Sequence, residues 1–244
     1  MRRIDGLITA LLAGLALTAC QGKPADDAAF GQRVRAYLLS HPEVLQEVSQ
    51  KLDAKLAANA DAEQRQAQAL LPSLRPGVEH DPDDFVANPG GAITVTEFYD
   101  YRCPHCANVA PKLLALIRAN PDVRFVFKEM PIFGPTSEHA ARAALAVKRA
   151  GGDSLGAYAA FMQTRPLEDS AIDRIALRMG AKREDLAPDR KGAADAHLAR
   201  TNVLFTKLAL GGTPAFIVGD EIIMGEDMEG LAQGLAKARA RGKS

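Results

Sequence analysis

The stretch from Ala92 to Glu129, "AITVTEFYDYRCPHCANVAPKLLALIRANPDVRFVFKE", constrains the fold more than any other part of the chain. Its first nine residues are mostly β-branched or aromatic and contain no proline, which predicts a strand. Cys103 lies just past the end of that strand, and a helix is predicted from about Pro104 to Ala119. "VRFVFKE", Val123 to Glu129, has strong strand propensity. A strand, a helix and a second strand in this order form a β-α-β unit. The two strands are then expected to be parallel, with a right-handed crossover.

The cysteine pair Cys103-Pro104-His105-Cys106 sits at the first junction of this unit. A helix N-terminus carries unpaired N–H groups and partial positive charge, both of which favour a thiolate. Pro104 suits a first helical turn, where a missing N–H costs nothing. His105 adds positive charge or a hydrogen bond, and Cys106, one turn along, can resolve a mixed disulfide at Cys103. A structural disulfide here would close a very short loop and gain little entropy. A structural metal site would need further ligands, and His41, His80, His139 and His197 are scattered. His139 and His197 read as surface or capping histidines. No metal is expected, and redox chemistry is the reading that the spacing favours.

The 244 residues carry 30 basic and 30 acidic side chains. A net charge of zero gives no electrostatic ground for binding nucleic acid or an anionic membrane. Tryptophan is absent, and no glycine-rich phosphate loop supports a nucleotide site. The remaining cysteine, Cys20, follows "MRRIDGLITALLAGLALTA". Two arginines precede an apolar run, Leu7 to Ala19, that is too short to span a bilayer. The pattern predicts a signal peptide over residues 1–19. Leu17-Thr18-Ala19-Cys20 resembles a bacterial lipobox, which implies lipid attachment at Cys20. Gln21 in place of Asp favours the outer membrane. The mature protein is thus expected in the periplasm, where disulfides persist, and at a membrane only through its anchor.

A tether follows at 20–25, then a helical region over 26–71. Phe30, Val34, Tyr37 and Leu38 recur at helical spacing up to "SHPE", where Ser40 reads as an N-cap with Glu43 as its partner. Leu45, Val48, Leu52 and Leu56 continue the stripe in a second helix, expected to stop at Pro72. Such a seam packs within its own domain or against copies of itself. Residues 72–91, rich in proline, glycine and acids, read as a linker. Beyond the β-α-β unit the pattern is helical from about 137 to 210, with breaks at Gly151-Gly152, Arg165-Pro166 and Gly180. "PAFIVGDEIIMG" predicts a hairpin around Gly219-Asp220, and an amphipathic helix closes the chain.

"CPHC" opening a helix, with Pro111 five residues after Cys106, resembles a thioredoxin-fold active site, and its Pro-His dipeptide is that of the DsbA family of secreted disulfide oxidoreductases. "VRAYLLSHPEVLQEV", "FVFKEMPIFGP" and "GGTPAFIVGD" resemble the ScsC (suppressor of copper sensitivity) type. The resemblance implies an α/β fold: a thioredoxin domain over 92–241 with a helical insertion, preceded by an α-helical N-terminal region. It implies that Thr213-Pro214 forms a cis-proline loop against the cysteines and binds extended substrate. It implies that Glu97 is an acid beneath the site that takes a proton from Cys106, and that Lys128 stands beside Glu97 and keeps it charged.

The function so implied is extracytoplasmic thiol–disulfide exchange with protein substrates bearing thiols or disulfides, leaning to isomerase or reductase. It uses the redox-active Cys103–Cys106 pair and no cofactor. A membrane redox partner of the Dsb or Scs kind and self-association through residues 26–71, as a trimer, belong to the same reading. A dithiol oxidase, a copper(I)-handling protein with two soft thiolates, and an anchored chaperone module remain alternatives.

Overall fold

The structure is a computed structural model that describes residues 24–186 and 192–242. Cys20, Gln21 and the signal segment lie outside the described residues. The chain divides into two compact units, up to Ala57 and from Ala58 onward.

The first unit contains α1 (Pro24–Ser40) and the opening turns of α2 (Glu43–Glu79). Phe30, Val34 and Tyr37 on α1 and Leu45, Val48, Leu52 and Leu56 on α2 are all exposed. Ser40 does not cap α2. It is the last residue of α1, and its hydroxyl donates back to the carbonyls of Ala36 and Tyr37, at 3.0 and 2.9 Å. A short polar side chain at a helix end satisfies its nearest free acceptors, and here those belong to the preceding helix.

The second unit is built on a five-stranded sheet in the order β1-β3-β2-β4-β5. Its strands are β1 (Phe85–Ala87), β2 (Ile93–Tyr99), β3 (Val123–Glu129), β4 (Ala215–Val218) and β5 (Glu221–Met224). β2 and β3 are parallel, joined by α3 (Pro104–Ala119); β1 pairs antiparallel with β3, and β4 antiparallel with β2 and β5. Three helices follow β3: α4 (Pro135–Arg149), α5 (Ser154–Gln163) and α6 (Asp169–Arg178). After them come a 3₁₀ turn (Arg183–Leu186) and α7 (Ala193–Lys207), and α8 (Met228–Arg241) closes the chain.

Strand alternation divides the core between the two faces of the sheet. On one face Val95, Tyr99, Phe125, Phe127, Phe216 and Val218 pack with α3, α4, α5, α6 and α8. On the other, Phe98, Ala215 and Ile217 pack with Leu71 and Val78 of α2 and Leu204 of α7. Each fully buried large side chain contributes roughly 1.5–3 kcal/mol.

The expected stop at Pro72 and the linker reading of residues 72–91 are corrected. α2 runs on to Glu79 through Pro72 and Pro76. The two prolines are four residues apart, so they share one face, and both are exposed. The carbonyls that lose their helical partners there face solvent, which softens the penalty for proline in a helix. The buried face of the same turns carries Leu71 and Val78. The end of the helix is then fixed to the sheet by side chains. Gly77, Val78 and Glu79 keep carbonyls that the helix cannot satisfy. They accept from Lys128 Nζ at 2.6 Å, Thr96 Oγ1 at 3.3 Å and Arg124 Nη1 at 2.7 Å. Gly91 is no spacer either. A Cβ there would lie 2.4 Å from the backbone nitrogen of Arg124, so β2 can start beside β3 only with glycine.

Lys128 is the second correction. Glu97 stands opposite Phe127 and Lys128 opposite Phe98, so the two charged side chains leave opposite faces of the sheet. Lys128 pairs with Asp84 instead, Nζ to Oδ2 at 2.6 Å, and both side chains are fully buried. His197 is not a surface histidine. It is 1% exposed, with Nε2 3.5 Å from Asp84 Oδ1 and 3.6 Å from Glu129 Oε2. Burial pushes the Asp84 carboxyl up, to about 7, against the pull of Lys128 and His197. This ionic cluster ties α7 and the end of α2 to β3.

Removing one partner of a buried pair leaves the other uncompensated. Lys128→Met is expected to lower the urea-unfolding free energy by about 3–5 kcal/mol near neutral pH. Without the ammonium the Asp84 midpoint rises further, so the deficit grows as the pH is raised. Adding Asp84→Asn should recover much of the loss, and a Lys128→Met protein as stable as the parent would contradict the assignment.

Candidate active site

The β2-to-α3 junction is shaped by Asp100. This residue is 2% exposed, and its carboxylate accepts four hydrogen bonds. Oδ1 receives Arg102 N at 2.7 Å and Ser137 Oγ at 2.8 Å, while Oδ2 receives Ile132 N at 2.7 Å and Phe133 N at 3.0 Å. The backbone N–H of Cys103 donates to the Asp100 carbonyl at 3.1 Å. One buried anion therefore fixes the turn leading to the cysteines and the loop after β3 together. That loop carries Ile132 and Phe133, both exposed apolar side chains beside the site.

Cys103 is the N-cap of α3, with extended backbone and Pro104 in the first turn. Cys103 and Cys106 are free thiols. The sulfur of Cys103 meets donors from several directions. The Cys106 thiol is the largest influence, followed on the favourable side by Thr213 and the backbone N–H groups of Cys106 and His105. Together they outweigh desolvation and bring the Cys103 thiol down from 9.0 to about 5. Cys106 is buried at the next turn. Desolvation, then its bond to Cys103 and the nearby Glu97, drive its thiol far above the ordinary range. Both sulfurs are buried, and they differ in what acts on them: Cys103 takes N–H groups at the start of the helix, whereas desolvation dominates at Cys106.

The Thr213–Pro214 peptide is cis. It brings Thr213 against the site, where the Cys103 thiol donates to the Thr213 carbonyl at 3.2 Å. The Thr213 hydroxyl is buried without a hydrogen-bond partner and favours the ionised sulfur, whereas the carbonyl contact belongs to the protonated thiol and is given up when the sulfur ionises. This loop also changes one expectation. Cys103 is only 1% exposed, whereas a helix N-terminus at a loop is expected to be open. The sulfur sits beneath the Thr213 segment.

Glu97 lies on the same face of the sheet as the cysteines and is 2% exposed. The Tyr158 hydroxyl, from α5, reaches both carboxylate oxygens, at 3.1 and 3.3 Å. Burial raises the Glu97 carboxyl from 4.5 to about 8; the Tyr158 bond opposes the rise and the Cys103 charge adds to it. With Lys128 on the far face, nothing cationic from β3 offsets this rise.

His105 is exposed, and its Nδ1 lies 2.6 Å from Glu226 Oε1, in the turn after β5. Four residues at the site were not legible as such. Asp100 reads as the end of a strand, Tyr158 as one residue of the helical stretch, and Glu226 as the first residue of the closing amphipathic helix. Arg165 read as a helix break, yet its guanidinium is close enough to Cys103 and Cys106 to feel their charge. An aspartate three residues before a cysteine at a strand end does carry a local signal, since such a side chain caps the backbone two residues on. Among the described residues Asp81, Asp83 and His197 are spaced closely enough to hold a cation. The Arg200 guanidinium already spans the two aspartates, at 2.8 and 2.7 Å.

Comparison with known proteins agrees with this geometry. The DSBA-like thioredoxin domain family matches residues 94–236, and the copper resistance protein ScsC N-terminal domain matches residues 26–59. A thioredoxin-like oxidoreductase from Silicibacter pomeroyi is 35% identical, with a TM-score of 0.63, covering 68% of this chain and 98% of its own. ScsC of Proteus mirabilis, in a transitional conformation, is 26% identical with a TM-score of 0.64, covering 90% of this chain and 99% of its own. A Na(+)/H(+) antiporter, NhaA 3 of Salinispora tropica, is 32% identical over 177 residues, which is 67% of this chain. The chain spans only about a quarter of the length of that antiporter, 26%. No helix among the described residues is long and apolar enough to cross a membrane. The strand–CPHC–helix junction, the cis-proline loop facing it and the matched span of sequence lead to one conclusion: this chain belongs to the DsbA-like thioredoxin family of thiol–disulfide oxidoreductases, with an N-terminal region of the ScsC type.

Proposed function

We propose that the protein exchanges disulfides with protein substrates outside the cytoplasm, and that it works as an isomerase or reductase in preference to a dithiol oxidase. The observation that carries this reading is the Cys103 sulfur. It is the N-cap of α3, ringed by donors, and its thiol is brought down to about 5. At neutral pH such a group is a thiolate, the form that attacks.

In the exchange, the Cys103 thiolate attacks one sulfur of a substrate disulfide. A Cys103–substrate bond forms, and the other substrate sulfur leaves as a thiolate. Cys106 then loses its proton and attacks Cys103. This yields the Cys103–Cys106 disulfide and a reduced substrate, or the substrate's own thiol resolves the bond and leaves a rearranged disulfide. No electrons are needed beyond those of the thiols, so the cycle runs without metal or organic cofactor. Glu97 is the partner for the Cys106 proton. A carboxyl that titrates to about 8 takes up and returns a proton near neutrality. Tyr158 holds both of its oxygens. The Thr213 segment covers the sulfur, and its backbone pairs with an extended substrate chain by strand addition in this reading.

The isomerase lean rests on the N-terminal unit. A row of exposed apolar side chains on α1 and α2 suits self-association, as a trimer, which would keep the cysteines from the machinery that oxidises monomers. A membrane reductase would return the pair to thiols. The signal segment and Cys20 support export and lipid anchoring, with Gln21 favouring the outer membrane.

Two assays side by side test the direction. The soluble form should reactivate a scrambled-disulfide substrate faster than it oxidises a reduced, unfolded one, and Cys103→Ser should abolish both activities. The combined Val48→Glu and Leu52→Glu variant should be monomeric by light scattering and lose the isomerase advantage. A parent protein that is already monomeric, or that oxidises faster than it rearranges, would overturn the lean.

Glu97 gives a pH signature. Its folded midpoint lies above its unfolded one, so its stabilising share is complete below about pH 4.5 and is lost as the pH rises through about 8. Glu97→Gln should therefore raise the melting temperature more at alkaline than at acid pH, while slowing resolution of the mixed disulfide by about 100-fold or more. Equal melting shifts at both ends of the range would contradict a buried, raised carboxyl.

A further inference from the structure

The CPHC motif by itself places a histidine one residue from the thiolate's helix end, where its charge would favour ionised sulfur. Here that histidine is engaged elsewhere. His105 Nδ1 meets Glu226 Oε1 at 2.6 Å, and Asn108 Nδ2 donates to the same oxygen at 3.3 Å. Glu226 is held in place from both sides. Gly225, at φ 72°, donates its N–H to the Pro214 carbonyl at 2.8 Å, which ties this turn to the cis-proline loop. Asp227 caps α8 by accepting from Gly230 N at 2.7 Å. The carboxylate is thus set over the first turn of α3 by two fixed backbone segments.

We propose that Glu226 is a positioning residue that grips the His105 imidazolium through Nδ1 and so withholds its charge and its N–H from the Cys103 sulfur. The consequence is a disulfide less oxidising than the same CPHC motif would give with an unclaimed histidine. The inference rests on the thiol–disulfide reading and specifies how its direction is set.

The sign follows from the order of titration. Glu226 raises the His105 midpoint above 6.5, and Cys103 titrates near 5. The imidazole is therefore charged throughout the ionisation of the thiol, and Glu226 is charged as well, since His105 and Asn108 lower its own midpoint. Seen from the sulfur, the pair is close to neutral. The other groups bearing on the site are Lys112, which acts on Glu226, and Glu97, Cys106 and Arg165, which bear on Cys103. None of them takes the place of Glu226 against Nδ1.

The test equilibrates the intact soluble protein with glutathione and follows the pH dependence of Cys103 alkylation. It uses Glu226→Ala, Glu226→Gln, His105→Ala and the double variant. Glu226→Ala should shift the glutathione equilibrium toward a more oxidising disulfide by about two- to fivefold, as befits a partly exposed ion pair, and move the alkylation midpoint down. Glu226→Gln, which keeps an acceptor but no charge, should move both less. In the His105→Ala background the effect of Glu226→Ala should fall to less than half. An unchanged equilibrium, a shift toward a more reducing pair, or a shift of equal size without His105 would overturn the proposal. Parent Cys103 that alkylates no faster than an ordinary thiol would instead defeat the exchange reading itself.

Discussion

An ionised sulfur buried just past the end of β2 must be given donors, and much of the second unit serves that need. The strand ends at Tyr99, and the buried carboxylate of Asp100 turns the backbone so that Cys103 becomes the N-cap of α3. The helix supplies oriented N–H groups, the cis-proline loop supplies Thr213, and the neighbouring thiol supplies one more donor. One helical turn on, a backbone bond at Asp100 pulls the Cys106 thiol down, but desolvation outweighs it and the thiol stays protonated. The chemistry comes from the contrast between the two sulfurs, and that contrast is a matter of which hydrogen bonds each position on one helix supplies.

The sheet keeps two sets of charges apart. Glu97 rises from one face toward the cysteines, with Tyr158 as its hydrogen-bond donor. Lys128, the next residue but for one place in register, leaves the other face and meets Asp84 and the end of α2. Had the lysine stood beside Glu97, the carboxyl would be held ionised and could not hold a proton near neutral pH. Segregation by strand alternation thus leaves a carboxyl that burial raises on the face of the cysteines and uses the cation as a structural anchor on the other. His197 and Glu129 extend that anchor, and Tyr99 links Glu129 back toward the site through its hydroxyl, at 3.1 Å.

The sequence made the β-α-β unit, the CPHC junction, the hairpin at Gly219-Asp220 and the helical insertion legible, because local propensity and spacing decide them. Other features depend on what lies across space. Pro72 and Pro76 read as stops, since nothing in their neighbourhood shows that both would face solvent while Leu71 and Val78 face the sheet. The partner of Lys128 depends on the register of β2 against β3, which no single strand discloses. His197 looked like any helical histidine until α7 was laid over Asp84 and Glu129. Glu226 gave no signal at all, for its role comes from a turn 121 residues beyond His105.

Everything in the exchange depends on Cys103 being a thiolate at neutral pH while Cys106 is not. The direct measurement is the ultraviolet absorbance of the reduced protein across an acid-to-alkaline titration, with Cys103→Ser as the blank. The prediction is one thiolate appearing with a midpoint near 5 that is missing from the Cys103→Ser protein. A midpoint at or above that of a free cysteine, about 8.5, or a signal that survives the loss of Cys103, would contradict it.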